Sequence, residues 1–169
     1  VYAEKPVVTD LAEGAALLAL AARLGRRHGV VEDKLALPGL AKLRRAMATG
    51  AVGRVTGFRL DFGYWIFSGH DLPMQRPSWN YRAAEGGGLM LDMYPHWRYV
   101  VEGLLGPIRR VVSRGWTAIP ERVDERGRPF RVDVDDSNAT IVELDSGAVG
   151  VILCSWATRV DRDELMTFQ

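Results

Sequence analysis

The chain is poor in the residues that build disulfide frameworks and metal clusters. Its 169 residues include one cysteine and three histidines. A single cysteine excludes an internal disulfide. His70, Asp92, His96 and Cys154 show no ligand spacing, so no metal is expected. Charge of one sign is also missing, because 22 Lys and Arg against 21 Asp and Glu leave a formal net charge of +1. Neither a basic nucleic-acid surface nor an acidic tail is therefore expected. No apolar run reaches the ~18 residues of a membrane span, and no signal-peptide pattern opens the chain. No membrane partner follows from that, and the cytoplasm is the expected location.

Hydrophobic residues at 47 % and charged residues at 25 % are the proportions of a soluble globular protein with a core of useful size. Cys154, inside Val151-Ile152-Leu153-Cys154-Ser155-Trp156, reads as a buried strand thiol. Val1–Val7 and Asp163–Gln169 both read as interrupted strands, so the chain is expected to be an internal piece of a longer protein.

Read in order, Thr9 is placed to cap a helix that runs to about Arg27, with acids in its first turn and arginines in its last. Gly29-Val30-Val31-Glu32 follows as a short strand. Strand, helix, strand is one parallel crossover unit. A second helix opens at Leu37-Pro38-Gly39-Leu40 and ends at Gly50 and Gly53. Strands are predicted at 54–65 and 108–118, with a hairpin of 138–144 and 148–156 about Asp145-Ser146-Gly147. Residues 66–85 read as a long loop containing His70-Asp71, and Trp79 and Tyr81 in it argue for a docked loop. Arg122, Arg126, Arg128 and Arg131 alternate with acids and read as a solvated excursion. The fold class is thus α/β in the first third and α+β after it, with a mostly antiparallel open sheet. The domain boundary falls between 1–33 and 34–169.

The chemistry concentrates in Gly86-Gly87-Gly88-Leu89-Met90-Leu91-Asp92-Met93-Tyr94-Pro95-His96-Trp97. On a helix, Asp92 and His96 lie about 40° apart on one face, close enough to act on one bound molecule. The spacing alone is equally that of a solvated acid and a core histidine. Three consecutive glycines leave a backbone that other atoms, a ligand's included, can approach closely. Pro95 sets a choice: the helix begins near Tyr94, or it bends beside His96.

Two motifs together resemble the glucose–fructose oxidoreductase / inositol dehydrogenase / MocA family of NAD(P)-dependent oxidoreductases. Glu4-Lys5-Pro6 resembles the family's Glu-Lys-Pro at the end of a late strand of its nucleotide-binding domain. Gly86-Gly87-Gly88 leading to Asp92 and His96 resembles its glycine-rich segment before the catalytic acid and histidine. The resemblance implies oxidation of a secondary hydroxyl of a sugar, cyclitol or related polyol, or the reverse, with NAD or NADP as cofactor. It implies Lys5, Asp92 and His96 as catalytic group, Glu4, Lys5 and Pro6 at the cofactor, and Lys34, Asp92, His96, Tyr94 and Trp97 as substrate contacts. It also implies a homo-oligomer built on the antiparallel sheet face. A general base suits His96, and a fixed ammonium at a developing alkoxide suits Lys5. The plainer alternatives are a surface ion pair for Lys5 and a core position for Trp97.

Two departures concern the pocket wall. The family often carries a glycine two residues before its histidine and an acid three residues after it, where this chain has Tyr94 and Tyr99. The Gly-x-Gly-x-x-Gly fingerprint that seats a pyrophosphate is absent before Gly86. The expectation is therefore a substrate domain preceded by the tail of a cofactor domain. A non-catalytic ligand-binding or oligomerisation module derived from the family is the alternative.

Overall fold

In the computed structural model, residues 1–66, 74 and 76–158 are described in full and 166–168 by their backbone. Strand β1 (Tyr2–Ala3) pairs parallel with β2 (Gly29–Val30), Tyr2 opposite Gly29, and helix α1 (Leu11–Arg23) joins them. The crossover unit is as the sequence predicts, but both helix limits differ. Asp10, not Thr9, is the N-cap, and its carboxylate accepts the Glu13 N–H at 2.9 Å, satisfying one of the free donors of the first turn. The helix stops at Arg23 rather than Arg27 because Gly25 takes a left-handed φ of 58°, the usual stop signal. No residue of α1 is buried, and Leu11, Leu17, Leu18 and Leu20 are all exposed.

Helix α2 (Pro38–Ala48) begins on a proline whose missing N–H falls where no intrahelical partner exists. Beyond it lie β3 (Gly57–Gly63), α3 (Leu89–Leu105), β4 (Ile108–Trp116), β7 (Ser137–Leu144), β8 (Val149–Ser155) and β9 (Met166–Phe168). The five strands form one sheet in the order β4-β7-β8-β3-β9. Every neighbouring pair is antiparallel except β3 and β8, where Leu60 stands opposite Ile152 in a parallel register. The β7–β8 hairpin closes at the predicted turn, with the Gly147 N–H on the Leu144 carbonyl at 3.0 Å.

Period decides which side chains meet. Along α3, Leu89, Met93, Trp97, Val100 and Val101 recur at three- and four-residue spacing and are buried. They join a core with Phe58, Leu60, Val142, Ile152 and Cys154 from the strands. The strands alternate, so Thr140 and Val142 face α3 while Ile141 between them is 53 % exposed. The other sheet face is bare, with Val112 66 % and Val149 50 % exposed.

The excursion after β4 is corrected in one residue. Between β4 and β7, β5 (Glu121–Val123) and β6 (Pro129–Arg131) form a small antiparallel ribbon. Arg126, Arg128 and Arg131 are exposed as expected, but Arg122 is wholly buried. Strand alternation turns it inward, where it meets buried Asp136 at 3.1 Å, the Ile66 carbonyl at 3.2 Å and the Tyr81 ring at 4.2 Å.

Candidate active site between the Lys5 strand and helix α3

Helix α3 starts at Leu89, so Asp92 sits in its first turn and the helix continues through Pro95 to carry His96. The reading in which the helix begins near Tyr94 is thereby excluded. At Gly87 the close approach that the glycines permit is made by the chain's own backbone. A Cβ on Gly87 would lie 2.5 Å from the Asn80 carbonyl oxygen and 2.6 Å from that of Trp79. Gly88 takes a φ of 121°, a conformation that side chains oppose. Two of the free N–H groups of the helix end are also occupied: Leu89 donates to the Asp135 carbonyl at 2.9 Å and Met90 to the Asp135 carboxylate at 3.1 Å. Gly87→Ala is expected to cost about 1–3 kcal/mol, since backbone atoms must move. A melting curve unchanged by that substitution would contradict this packing.

Lys5 follows β1 and reaches across to α3. Its ammonium donates to the Asp92 carboxylate at 2.5 Å and to the Asp92 carbonyl at 2.7 Å. The second Asp92 oxygen accepts from Arg76 at 2.7 Å, and Arg76 also donates to the Tyr64 hydroxyl at 3.0 Å while lying 4.6 Å over Trp156. Asp92 is therefore clamped between two cations. They open onto a cleft of about 700 Å³ whose wall includes Glu4, Lys5, Tyr64, Arg76, Trp79 and Asp92. Pro6 does not line it.

His96, one turn further along α3, is only 5 % exposed and is not part of that wall. Its Nδ1 lies 3.2 Å from the Glu32 carboxylate and 3.4 Å from the Tyr99 hydroxyl. Burial, then the charges of Lys5 and Lys34, push the imidazole pKa down to about 4, so the ring is neutral at pH 7. Burial pushes the Glu32 carboxyl up, against a hydrogen bond from Tyr99 and the charge of Lys5. Burial likewise raises the Tyr99 phenol to about 12, which leaves it a donor at every ordinary pH.

Lys5, Asp92 and His96 thus share one region, and Lys34 adjoins it: its backbone N–H donates to Tyr99 at 2.6 Å and its ammonium pairs with Asp33 at 3.0 Å. Two expected substrate contacts are corrected. Trp97 is 0 % exposed, donating its indole N–H to the Cys154 sulfur at 3.4 Å. A ring enclosed in the core has no face for a ligand, and Cys154 is the buried thiol foreseen. Tyr94 lies about 200° around the helix from Asp92 and hydrogen-bonds to Asn138 and, at 2.7 Å, to Thr140 on the sheet. His70 and Asp71 lie outside the described residues. Arg76, Glu32 and Tyr64 escaped the sequence reading, since each contact spans a loop or a distant element and leaves no spacing to detect. Among the described residues no group of His, Cys, Asp or Glu is gathered as for a metal ion, and no helix is long and apolar enough to cross a membrane.

Comparison with known proteins bears on this geometry. The sequence profile of the GFO/IDH/MocA C-terminal domain matches residues 40–168. The chain is 44 % identical over 173 residues to a D-xylose dehydrogenase of Paenarthrobacter nicotinovorans, a match covering all of this chain and 45 % of that protein. Levoglucosan dehydrogenase in complex with NADH and L-sorbose has the same fold, with a TM-score of 0.83 and 26 % identity over 99 % of this chain and 44 % of that one. An NAD-binding oxidoreductase from Klebsiella pneumoniae gives a TM-score of 0.81 and 28 % identity over 95 % of this chain and 42 % of its own. The chain spans a little under half the length of these relatives. With the profile running from α2 to the last strand, and a mixed open sheet shared with the dehydrogenases, the chain belongs to the GFO/IDH/MocA family.

Proposed function

We propose that the protein carrying this chain is an oxidoreductase that moves hydride between NAD or NADP and a secondary hydroxyl of a sugar, cyclitol or related polyol. The observation that carries this reading is the Lys5 ammonium, fixed by Asp92 at 2.5 Å on the wall of an open cleft, with a neutral imidazole one turn away. Lys5 spends two of its three N–H bonds on Asp92. The third has no acceptor among the described residues. A spare charged donor beside a wall of mixed polar and aromatic groups fits the nicotinamide end of the cofactor next to a hydroxylated substrate. Glu4 and Lys5, both on the cleft wall, would hold that end, while Pro6 lies off that wall. The bound cofactor supplies the hydride acceptor.

The chain's own residues supply the rest. His96 would take the hydroxyl proton on Nε2, the nitrogen with no partner among the described residues. Lys5 would donate to the oxygen as its negative charge develops. Asp92, held by Arg76, would keep the ammonium in place, and Lys34 would stand at the substrate's margin. Trp79, 47 % exposed in the cleft wall, offers an aromatic face to a sugar ring. Residues 1–33 we assign to the end of a cofactor domain and 34–169 to the substrate domain. The uncovered leucines of α1 support that division, because such a face is stable only when packed against more protein. A cytoplasmic location suits a nicotinamide enzyme in which the cysteine of this chain is a free buried thiol.

The test is NAD(P)H formation by the full-length protein with D-xylose, other aldoses and cyclic polyols. Turnover with one of them is expected. Cofactor binding without turnover across the panel would instead favour the non-catalytic binding module.

The bare sheet face supports a homo-oligomer. Val112, Ile141 and Val149 present it with apolar groups, and the same surface on a second copy would cover them. Val112→Asp should therefore convert the full-length oligomer to a smaller species in light scattering. An unchanged mass would remove this face from the interface.

A further inference from the structure

The oxidoreductase reading leaves Glu32 without a role, although its carboxylate is the acid in contact with His96. It follows β2 by two residues, in the first sheet, yet its side chain meets a helix of the second. The hydrogen bonds around it have a direction. The Lys34 backbone N–H donates to the Tyr99 oxygen at 2.6 Å, so the Tyr99 hydroxyl has its own hydrogen to give, beside a Glu32 carboxylate whose charged form it favours and 3.4 Å from His96 Nδ1. Glu32 Oε2 also stands 3.2 Å from His96 Nδ1. A carboxylate only accepts, so the nitrogen facing it carries the proton.

We propose that Glu32 is the positioning residue for His96: its carboxylate holds the imidazole with the proton on Nδ1 and the lone pair on Nε2, and serves as counter-ion to the imidazolium formed when Nε2 accepts a proton. This rests on the oxidoreductase reading for its use, though not for its geometry. The surrounding charges show why a counter-ion is needed. Lys5 and Lys34 both disfavour a second positive charge on the ring, Asp33 and Asp92 oppose them only in part, and burial adds to the cost. Glu4 and Asp33 act on Glu32 itself. Asp92 is engaged by Lys5 and Arg76, so the carboxylate left to pair with the ring is Glu32.

The experiment uses the full-length protein with nitrogen-15-labelled histidine. At neutral pH His96 should give the resonances of the Nδ1-protonated tautomer. Glu32→Leu should bring in the Nε2-protonated form and lower kcat about 10–100-fold, as loss of an outer partner does at comparable sites, with KM changed less than about threefold. In a His96→Ala background the same substitution should cost less than about twofold, because residues acting as a unit are not additive. An Nε2-protonated ring in the unaltered protein would overturn the proposal, and so would an equal loss in both backgrounds. Absence of turnover with every sugar would strike the oxidoreductase reading, while the tautomer would still decide the case of Glu32.

Discussion

Truncating Arg122 to alanine should destabilise the protein by about 3–5 kcal/mol, the range for removing one partner of a buried ion pair. Arg122 and Asp136 are both 0 % exposed. The Asp136 carboxylate would keep the Ala118 and Ile119 N–H groups at 2.7 and 3.1 Å and lose its only cation in contact among the described residues. The Ile66 carbonyl would lose a donor and the Tyr81 ring its stacked guanidinium. For a domain of this size each kcal/mol is worth roughly 2–4 °C, so the melting temperature should fall by about 10 °C. Arg122→Met with Asp136→Asn should recover part of the loss, because the second change removes the orphaned charge. A single substitution that lowers the melting temperature by no more than about 2 °C would show that the pair contributes little. The damage should also reach the cleft. Arg122 stacks on Tyr81, Tyr81 meets Trp156 edge-on at 5.6 Å, and Trp156 lies beneath the Arg76 that clamps Asp92.

What the sequence revealed and what it hid separate by the range of the interaction. Period-2 patterns and turn signals are local, and they located the β7–β8 hairpin. The order β4-β7-β8-β3-β9 is not local: β3 and β8 pair in parallel from 92 residues apart, Gly57 to Val149, with no turn to announce it. Arg122 illustrates the same limit. The stretch around it is rich in charge, with Glu121, Asp124, Glu125 and Arg126, so only the partner in space, Asp136, distinguishes it from Arg126. At the site, Glu4-Lys5-Pro6 and the Gly86 segment were legible as short motifs. The Arg76 clamp was not, since Arg76 stands 16 positions before Asp92 and outside its helix. Tyr99 stands where the family often carries an acid. The carboxylate that meets His96 comes instead from Glu32, 64 residues earlier, which no spacing rule would connect. The glycines were legible as places of close approach, though not what approaches: at Gly87 the Asn80 and Trp79 backbone fills the space a side chain would need.

His96→Ala in the full-length protein should lower kcat/KM by roughly 10²–10⁴-fold, the usual contribution of a general base, and the pH profile should identify the group. Burial and the two ammonium groups hold the imidazole at about 4 instead of 6.5. The base is therefore unprotonated down to about pH 5, and the acid limb belonging to His96 should lie below that value rather than near neutrality. Lys5→Met removes one of the charges that depress it. That variant should lose the alkoxide donor and also move the acid limb upward, a double signature that misfolding would not produce. Stability follows the same titration. Because the unfolded histidine binds its proton first, the folded state loses stability as pH falls from 6.5 to about 4, by on the order of 3 kcal/mol. Glu32 acts in the opposite sense: its folded pKa is raised, so the folded state takes up that proton first and gains stability as pH falls. The difference between the unaltered protein and His96→Gln, both retaining Glu32, should isolate the imidazole. A wild-type acid limb between pH 6 and 7 would mean that His96 titrates as an ordinary exposed histidine, against the burial and the Lys5 and Lys34 charges that disfavour its protonation.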